Sequence, residues 1–182
     1  MMEKRDGTRL EVLKAIKERR SIRAFTNQPV EQKLVETLID AARHAPSAGN
    51  IQPWEFVIVR KLPAKRKLAV AALNQRFIEE APVVIVVCIK EGASESSYGS
   101  RGKTLYCVQD TAAATQNILL TVYAMGLGAC WVGAFREEEV KRSIGLPDGV
   151  RPVAIIPVGH VTANPSKPPR RPLSEIIHDE KF

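Results

Sequence analysis

An α+β layered fold is the architecture this sequence predicts, and three observations carry it. Two helical patterns precede any strand pattern, four short β-rich runs follow, and these elements do not alternate as regular βαβ units. The length of 182 residues, with 45% hydrophobic and 26% charged residues, suits one domain over residues 1–182 that buries roughly 70% of its unfolded surface. That composition excludes a disordered or collagenous chain.

Leu10, Val12, Leu13 and Ile16 recur at helical spacing and lead into basic Lys17–Arg20, where positive charge suits a helix C-terminus; a first helix ends near Arg20. Pro29 fits the first turn of a second helix with the apolar face Leu34, Val35, Leu38, Ile39, Ala42 and Ala45, and Pro46 stops it. Ser47–Gln52 reads as a loop, and Pro53 feeds a strand over Trp54–Val59. Lys65–Leu73 reads as a helix and Phe77–Ala81 as a further turn. Pro82 then opens Val83–Ile89, an unbroken apolar run that predicts a central strand covered on both faces.

Thr111–Phe135 holds 25 uncharged residues, long enough to weigh as a membrane span. Its polar Thr111, Thr115, Gln116, Asn117 and Thr121, followed by Gly126 and Gly128, favour a buried helix, a turn and a strand over about Ala129–Gly133. Glu137–Ile144 predicts a short charged helix capped by Gly145. Val153–Val158 predicts a last strand in spite of Pro157, and Pro165, Pro168, Pro169 and Pro172 keep the following arm extended.

The 27 basic and 20 acidic residues give a net charge of +7, which favours anionic ligands without choosing among phosphate, nucleic acid and lipid. Aromatic residues make up 5% of the chain and no nucleic-acid motif is visible, so a basic nucleic-acid-binding module is only a remote alternative. Cys88, Cys107 and Cys130 lie far apart, without metal-ligand spacing, and read as reduced thiols, two of them in strands. Met1–Arg9 is charged and offers no apolar core for a signal peptide, so the expected location is cytoplasmic.

Three segments carry chemistry. Arg19-Arg20-Ser21-Ile22-Arg23-Ala24-Phe25 sets three guanidiniums and a hydroxyl at a helix end, either a phosphate-binding fork or a solvated basic terminus. Ala45-Pro46-Ser47-Ala48-Gly49-Asn50-Ile51-Gln52-Pro53-Trp54 crowds small residues and amides into one turn, which suits the edge of a flat heterocycle or a rigid turn with a packed indole. In Gly126-Leu127-Gly128-Ala129-Cys130-Trp131-Val132-Gly133-Ala134-Phe135 the Gly-x-Gly follows a helix, the reverse of a dinucleotide fingerprint. Gly133 and Ala134 there suit either backbone contact with a planar ligand or simple packing.

In this order the three segments resemble the nitroreductase family of FMN-dependent oxidoreductases. Gln109-Asp110-Thr111-Ala112-Ala113-Ala114-Thr115-Gln116-Asn117 is similar to the start of that family's long central helix, and Lys167-Pro168-Pro169-Arg170-Arg171-Pro172-Leu173 to its C-terminal basic stretch. The likeness runs from about Arg19 to Ile177.

The resemblance implies a mixed central β-sheet flanked by helices, in a homodimer whose C-terminal arms, residues 165–182, are exchanged. It implies FMN at the subunit interface: Arg19, Arg20, Ser21 and Arg23 approach it, Arg19 nearest the phosphate and Arg23 at the pyrimidine edge. Arg170 or Arg171 completes the phosphate cage. Pro46, Ser47, Ala48 and Asn50 come from the other subunit, Asn74 reaches the pyrimidine edge, and Gly133 and Ala134 lie beside flavin N5. NADH or NADPH is the implied electron donor and a nitroaromatic, quinone or similar small molecule the oxidant, with no protein acid or base required. Related proteins dehalogenate, dehydrogenate, break down flavin or hold it without turnover, and the same site logic serves those roles. Glu91–Lys103 matches no motif and reads as an irregular loop where acceptor specificity would sit, with Tyr98 and Tyr106 as either stacking rings or surface side chains.

Overall fold

The computed structural model describes residues 6–182. The opening residues 1–5 of the charged Met1–Arg9 stretch lie outside it, as do the side chains of residues 6–11, Leu10 among them. In chain order the elements are α1 (Asp6–Glu18), α2 (Gln32–Arg43), β1 (Trp54–Val59), α3 (Leu62–Ala71), α4 (Phe77–Glu80), β2 (Val83–Lys90), α5 (Glu91–Arg101), α6 (Cys107–Ala124), β3 (Gly128–Ala129), α7 (Glu137–Ile144) and β4 (Val150–Gly159).

Strand alternation decides the layers. In β2, Val83, Ile85 and Val87 enter one core while Val84, Val86 and Cys88 enter another, because successive strand residues point to opposite faces. The first core closes against Val35, Leu38 and Ala42 of α2 and Ala114, Ile118 and Val122 of α6. The second closes against Leu68 of α3, Ile78 of α4 and Val140 of α7. Val83 to Ile89 are all fully buried, and each large aliphatic side chain so placed contributes roughly 1.5–3 kcal/mol.

The four-stranded sheet has the order β1-β2-β4-β3. Its ladders are antiparallel, and its parallel component is an isolated bridge between Ser21 and Ala129. The register slips between Val87 and Cys88, opposite Ala154 and Pro152, where a residue without an N–H accommodates a bulge. Pro157 explains why β3 is so short. Its neighbour in the pleat, Ile155, exchanges hydrogen bonds of 3.0 Å with Val132, but Pro157 has no donor to extend the ladder back to Ala129.

Several expected boundaries move for physical reasons. The strand expected over Ala129–Gly133 is confined to Gly128–Ala129, with Val132 joined to Ile155 by a separate bridge. Cys130 consequently follows a strand and only Cys88 lies within one; all three thiols are free and buried. Helix α2 starts at Gln32, after Pro29, because Val30 is buried and its carbonyl accepts from Arg60 Nη1 at 2.8 Å, which keeps the chain extended there. Glu91–Lys103 is largely helical, not a loop: α5 covers most of it, kinked at Gly99, whose φ is 57°, and is followed by a wide turn over Gly102–Tyr106. Gly102 permits this, since a Cβ on it would lie 2.1 Å from the Ser94 carbonyl oxygen. Among the described residues no helix is long and apolar enough to cross a membrane.

Candidate functional site

Past the end of α1 the chain turns extended, and alternation sorts its side chains. Ile22 is buried while Ser21 and Arg23 face out. The Ile22 N–H donates to Ala129 at 2.9 Å and the Thr26 N–H to His160 at 2.9 Å, so residues 21–26 lie as an extra ribbon beside the sheet edge.

Arg19, Arg20, Ser21 and Arg23 line a cleft of about 300 Å3 together with Pro165, Ser166, Pro168 and Arg170 of the C-terminal arm. Among the described residues no carboxylate lines it. Arg20 has its Nη1 on the carbonyls of Lys17, Glu18 and Arg19 at 2.7–3.1 Å, capping α1. Arg19 differs: its Nε is buried with no hydrogen-bond partner among the described residues. A buried guanidinium donor without an acceptor, on the wall of a cationic cleft, fits an anion with several oxygens.

The arm is docked by an ion pair of 3.4 Å between Lys167 and Glu18. Arg170 enters the cleft, whereas Arg171 turns away, its Nε 3.2 Å from Glu175 Oε2 and its Nη2 2.9 Å from the Glu175 carbonyl. The geometry thus separates two arginines that the sequence leaves equivalent.

Beyond the cleft the Arg23 guanidinium lies 5.8 Å from the centre of the Phe77 ring. Burial pushes the neighbouring Cys130 thiol up, and Arg23 and Ser21 act against it. Phe77 follows a turn in which Leu73 and Asn74 have φ of 59° and 63°. From that turn the Gln75 side-chain amide donates to Ala72 O at 2.8 Å and to Ala134 O at 3.3 Å. The second bond ties the turn that carries Asn74 to the segment of Gly133 and Ala134. Both of these are exposed, and among the described residues neither N–H meets a protein acceptor. A Cβ on Gly133 would meet nothing within 4 Å, which leaves a bare backbone edge open to a flat ligand.

The turn carrying Pro46, Ser47, Ala48 and Asn50 lines no part of this cleft. It is held on α6: both carboxylate oxygens of Asp110 accept the Ala48 N–H at 3.2 Å, and Ser47 Oγ accepts the Gln52 N–H at 3.0 Å. Tyr98 stands over it, its hydroxyl so near Gly49 that a Cβ there would lie 2.6 Å away. Tyr98 also packs edge-on against Tyr106 at 5.3 Å. Sequence reasoning assigned no role to Gln75, Phe77 or Asp110. Asp110 did carry a signal, as the last charge before 25 uncharged residues; Gln75 and Phe77 carried none, because their partners are set by tertiary contact.

A family model described as the nitroreductase family matches residues 16–75 and 62–160. A Methanothermobacter thermautotrophicus protein provisionally named NADH dehydrogenase/NAD(P)H nitroreductase is 36% identical over 162 residues, covering 87% of this chain and 81% of its own. FMN reductase (NADPH) of Bacillus subtilis is 29% identical over 183 residues, covering 93% of this chain and 74% of its own. The solved structure of NADPH:FMN oxidoreductase from Vibrio harveyi complexed with NAD+ superposes with a TM-score of 0.86 at 28% identity, over 94% of this chain and 78% of that one.

Proposed function

This chain belongs to the nitroreductase family, and on that premise we propose that it is an FMN-dependent oxidoreductase. It takes hydride from NADH or NADPH and passes it to a small oxidant of the nitroaromatic or quinone class. The observation that carries this reading is a cleft in which Arg19, whose Nε has no partner among the described residues, lines the same space as Ser21, Arg23 and Arg170, with no carboxylate among the described residues that line it. Relatives named FMN reductase and NADPH-flavin oxidoreductase support the choice of flavin phosphate over other anions.

FMN when bound supplies the redox chemistry, as a ring that accepts hydride at one nitrogen and gives it up again. The protein's part is positional and electrostatic. Arg19 and Arg170 hold the phosphate through charge-assisted hydrogen bonds, and Ser21 adds a donor. Arg23, set over Phe77, brings a fixed cation to the pyrimidine edge, where negative charge grows on reduction. Asn74 reads the same edge, and Gly133 and Ala134 offer backbone N–H groups beside the reactive nitrogen. Arg20 contributes by closing α1 beneath the cleft, and Arg171 by bracing the arm.

In this reading Pro46, Ser47, Ala48 and Asn50 reach the ligand from a second copy of the chain. The active species is a homodimer, with the exposed arm of residues 165–182 exchanged between copies.

The test is an absorbance spectrum after loading with FMN and desalting, followed by anaerobic titration with NADH and with NADPH. A retained flavin that either nucleotide bleaches is the expected result. A retained flavin that neither bleaches removes the hydride step, and loss of all flavin on desalting removes the reading itself.

A further inference from the structure

The layer of α3 and α7 carries a second basic cleft, which the flavin reading leaves without a role. The two helices are fixed side by side: Leu68, Ala69 and Ala71 of α3 and Val140 of α7 enter one core, and the Arg136 N–H donates to Ala71 O at 2.9 Å. Their outer faces wall a cleft of about 370 Å3, lined by Arg66, Lys67 and Val70 from α3 and by Glu139, Arg142 and Ser143 from α7. None of these residues lines the Arg19 cleft, so the two sites stand or fall separately.

Charge does not balance inside this cleft. Its carboxylate, Glu139, gives both oxygens to Arg136 Nη1 at 3.3 Å, and Ser143 Oγ donates to the Glu139 carbonyl at 2.6 Å. Arg66 commits its Nε to Glu79 Oε2 at 3.4 Å. The Lys67 and Arg142 side chains have neither an ion pair nor a hydrogen bond among the described residues. Arg142 lies in the last turn of α7, where a cation suits the helix C-terminus, but Lys67 lies mid-helix in α3. Like charges carried to one cleft by two rigid helices repel until an anion sits between them. We propose that the α3–α7 cleft binds a phosphate group, held by Lys67, Arg142 and the Arg66 guanidinium. A phosphate dianion offers three terminal oxygens to three cations, where a carboxylate offers two. Val70, 54% exposed, gives the cleft an apolar wall for whatever the phosphate is attached to, and the volume is that of a small-molecule site.

The test is calorimetric titration of phenyl phosphate, inorganic phosphate and benzoate into full-length protein saturated with FMN and, in parallel, into Arg19→Ala protein without flavin, so that the other basic cleft is either filled or disabled. The expected result in both is binding of a single phenyl phosphate per chain, weakened by added salt and weakened about fivefold by Lys67→Gln and by Arg142→Gln, each of which removes one charge-assisted contact. Both side chains are exposed, so these variants keep the fold. Phenyl phosphate binding more tightly than inorganic phosphate assigns the site to an organic phosphate resting on Val70, and equal binding assigns it to the free ion. Absence of binding by both phosphates overturns the proposal, as does binding that is unchanged in the Lys67→Gln, Arg142→Gln double variant. Benzoate binding as tightly as phenyl phosphate overturns the choice of phosphate. Failure of the protein to retain FMN leaves the Arg19→Ala titration to decide, and removes the flavin reading alone.

Discussion

Asp110 on α6 and Ala48 in the turn after α2 are 62 residues apart in sequence, and one backbone N–H spans them to both carboxylate oxygens. The carboxylate is buried at 8% exposure. Burial raises its pKa from the ordinary 3.8, and the Ala48 hydrogen bond pulls it back in part.

A carboxyl raised on folding binds its proton more tightly in the native state. Its contribution to stability is fully present below about pH 3.8 and is lost as pH rises through the higher folded value. Asp110→Asn keeps one acceptor for Ala48 and removes the buried charge. Denaturant midpoints of the two proteins are therefore expected to diverge in the variant's favour as pH rises through that window. Asp110→Ala, which strands the Ala48 N–H, is expected to destabilise by about 1–3 kcal/mol at pH 7, and equal stability of the Ala variant and the parent would show that the contact carries no weight.

The opposite sign belongs to Glu137. Its two oxygens take Arg151 Nη2 and Nε at 2.8 Å each, and chiefly that hydrogen bond holds the carboxyl below its ordinary 4.5. The stabilisation is present above pH 4.5 and disappears as pH falls through the lower folded value. Both side chains are about 40% exposed, so solvent screening limits Glu137→Gln to a loss of about 1 kcal/mol or less at neutral pH. Acid titration of stability should be flatter in that variant, and identical curves would dismiss the pair.

Within the arginine cleft, rank order is the prediction. Arg19→Ala and Arg170→Ala are each expected to weaken FMN binding tenfold or more by removing a charge-assisted phosphate contact. Arg171→Ala, which cuts only the brace to Glu175, should cost less than threefold. Fluorescence titration of FMN into each variant checks it, and an Arg171 effect equal to that of Arg170 would mean that the arm is rearranged in the working protein.

Gly92, in the first turn of α5, and Gly102, beyond the kink at Gly99, predict opposite outcomes. Gly102→Ala drives a methyl into the Ser94 carbonyl, 2.1 Å away, and is expected to cost about 1–3 kcal/mol as overpacking. Gly92→Ala meets nothing within 4 Å and should be neutral or stabilising by up to about 1 kcal/mol. Thermal unfolding of both variants separates them, and equal melting temperatures would contradict the tight packing of residues 91–106.

The layers of this fold were legible where burial is periodic. Val83–Ile89 reads as a two-faced strand because every residue in it is apolar, and Glu137–Ile144 with Gly145 reads as a capped helix because charge and glycine agree. Residues 91–106 misled because glycine and serine look like loop, while the fact that matters, a backbone packed against Gly102, is tertiary. The basic motif of Arg19–Arg23 was legible as chemistry, yet only geometry divides Arg20, bound to its own helix, from Arg19, with a donor left over. Gln75 had no pattern at all, since its partner is a backbone carbonyl on another segment.

The C-terminal arm has no buried residue from Thr162 to Phe182, yet it carries Arg170 into the cleft. An element with so little of its own to bury gains order from what it helps to hold. Ligand occupancy and arm docking are then reciprocal, each raising the population of the other by the same factor. With FMN in the cleft, proteolytic clipping of the tail is therefore expected to slow, and a clipping rate indifferent to added FMN would show that the two are uncoupled.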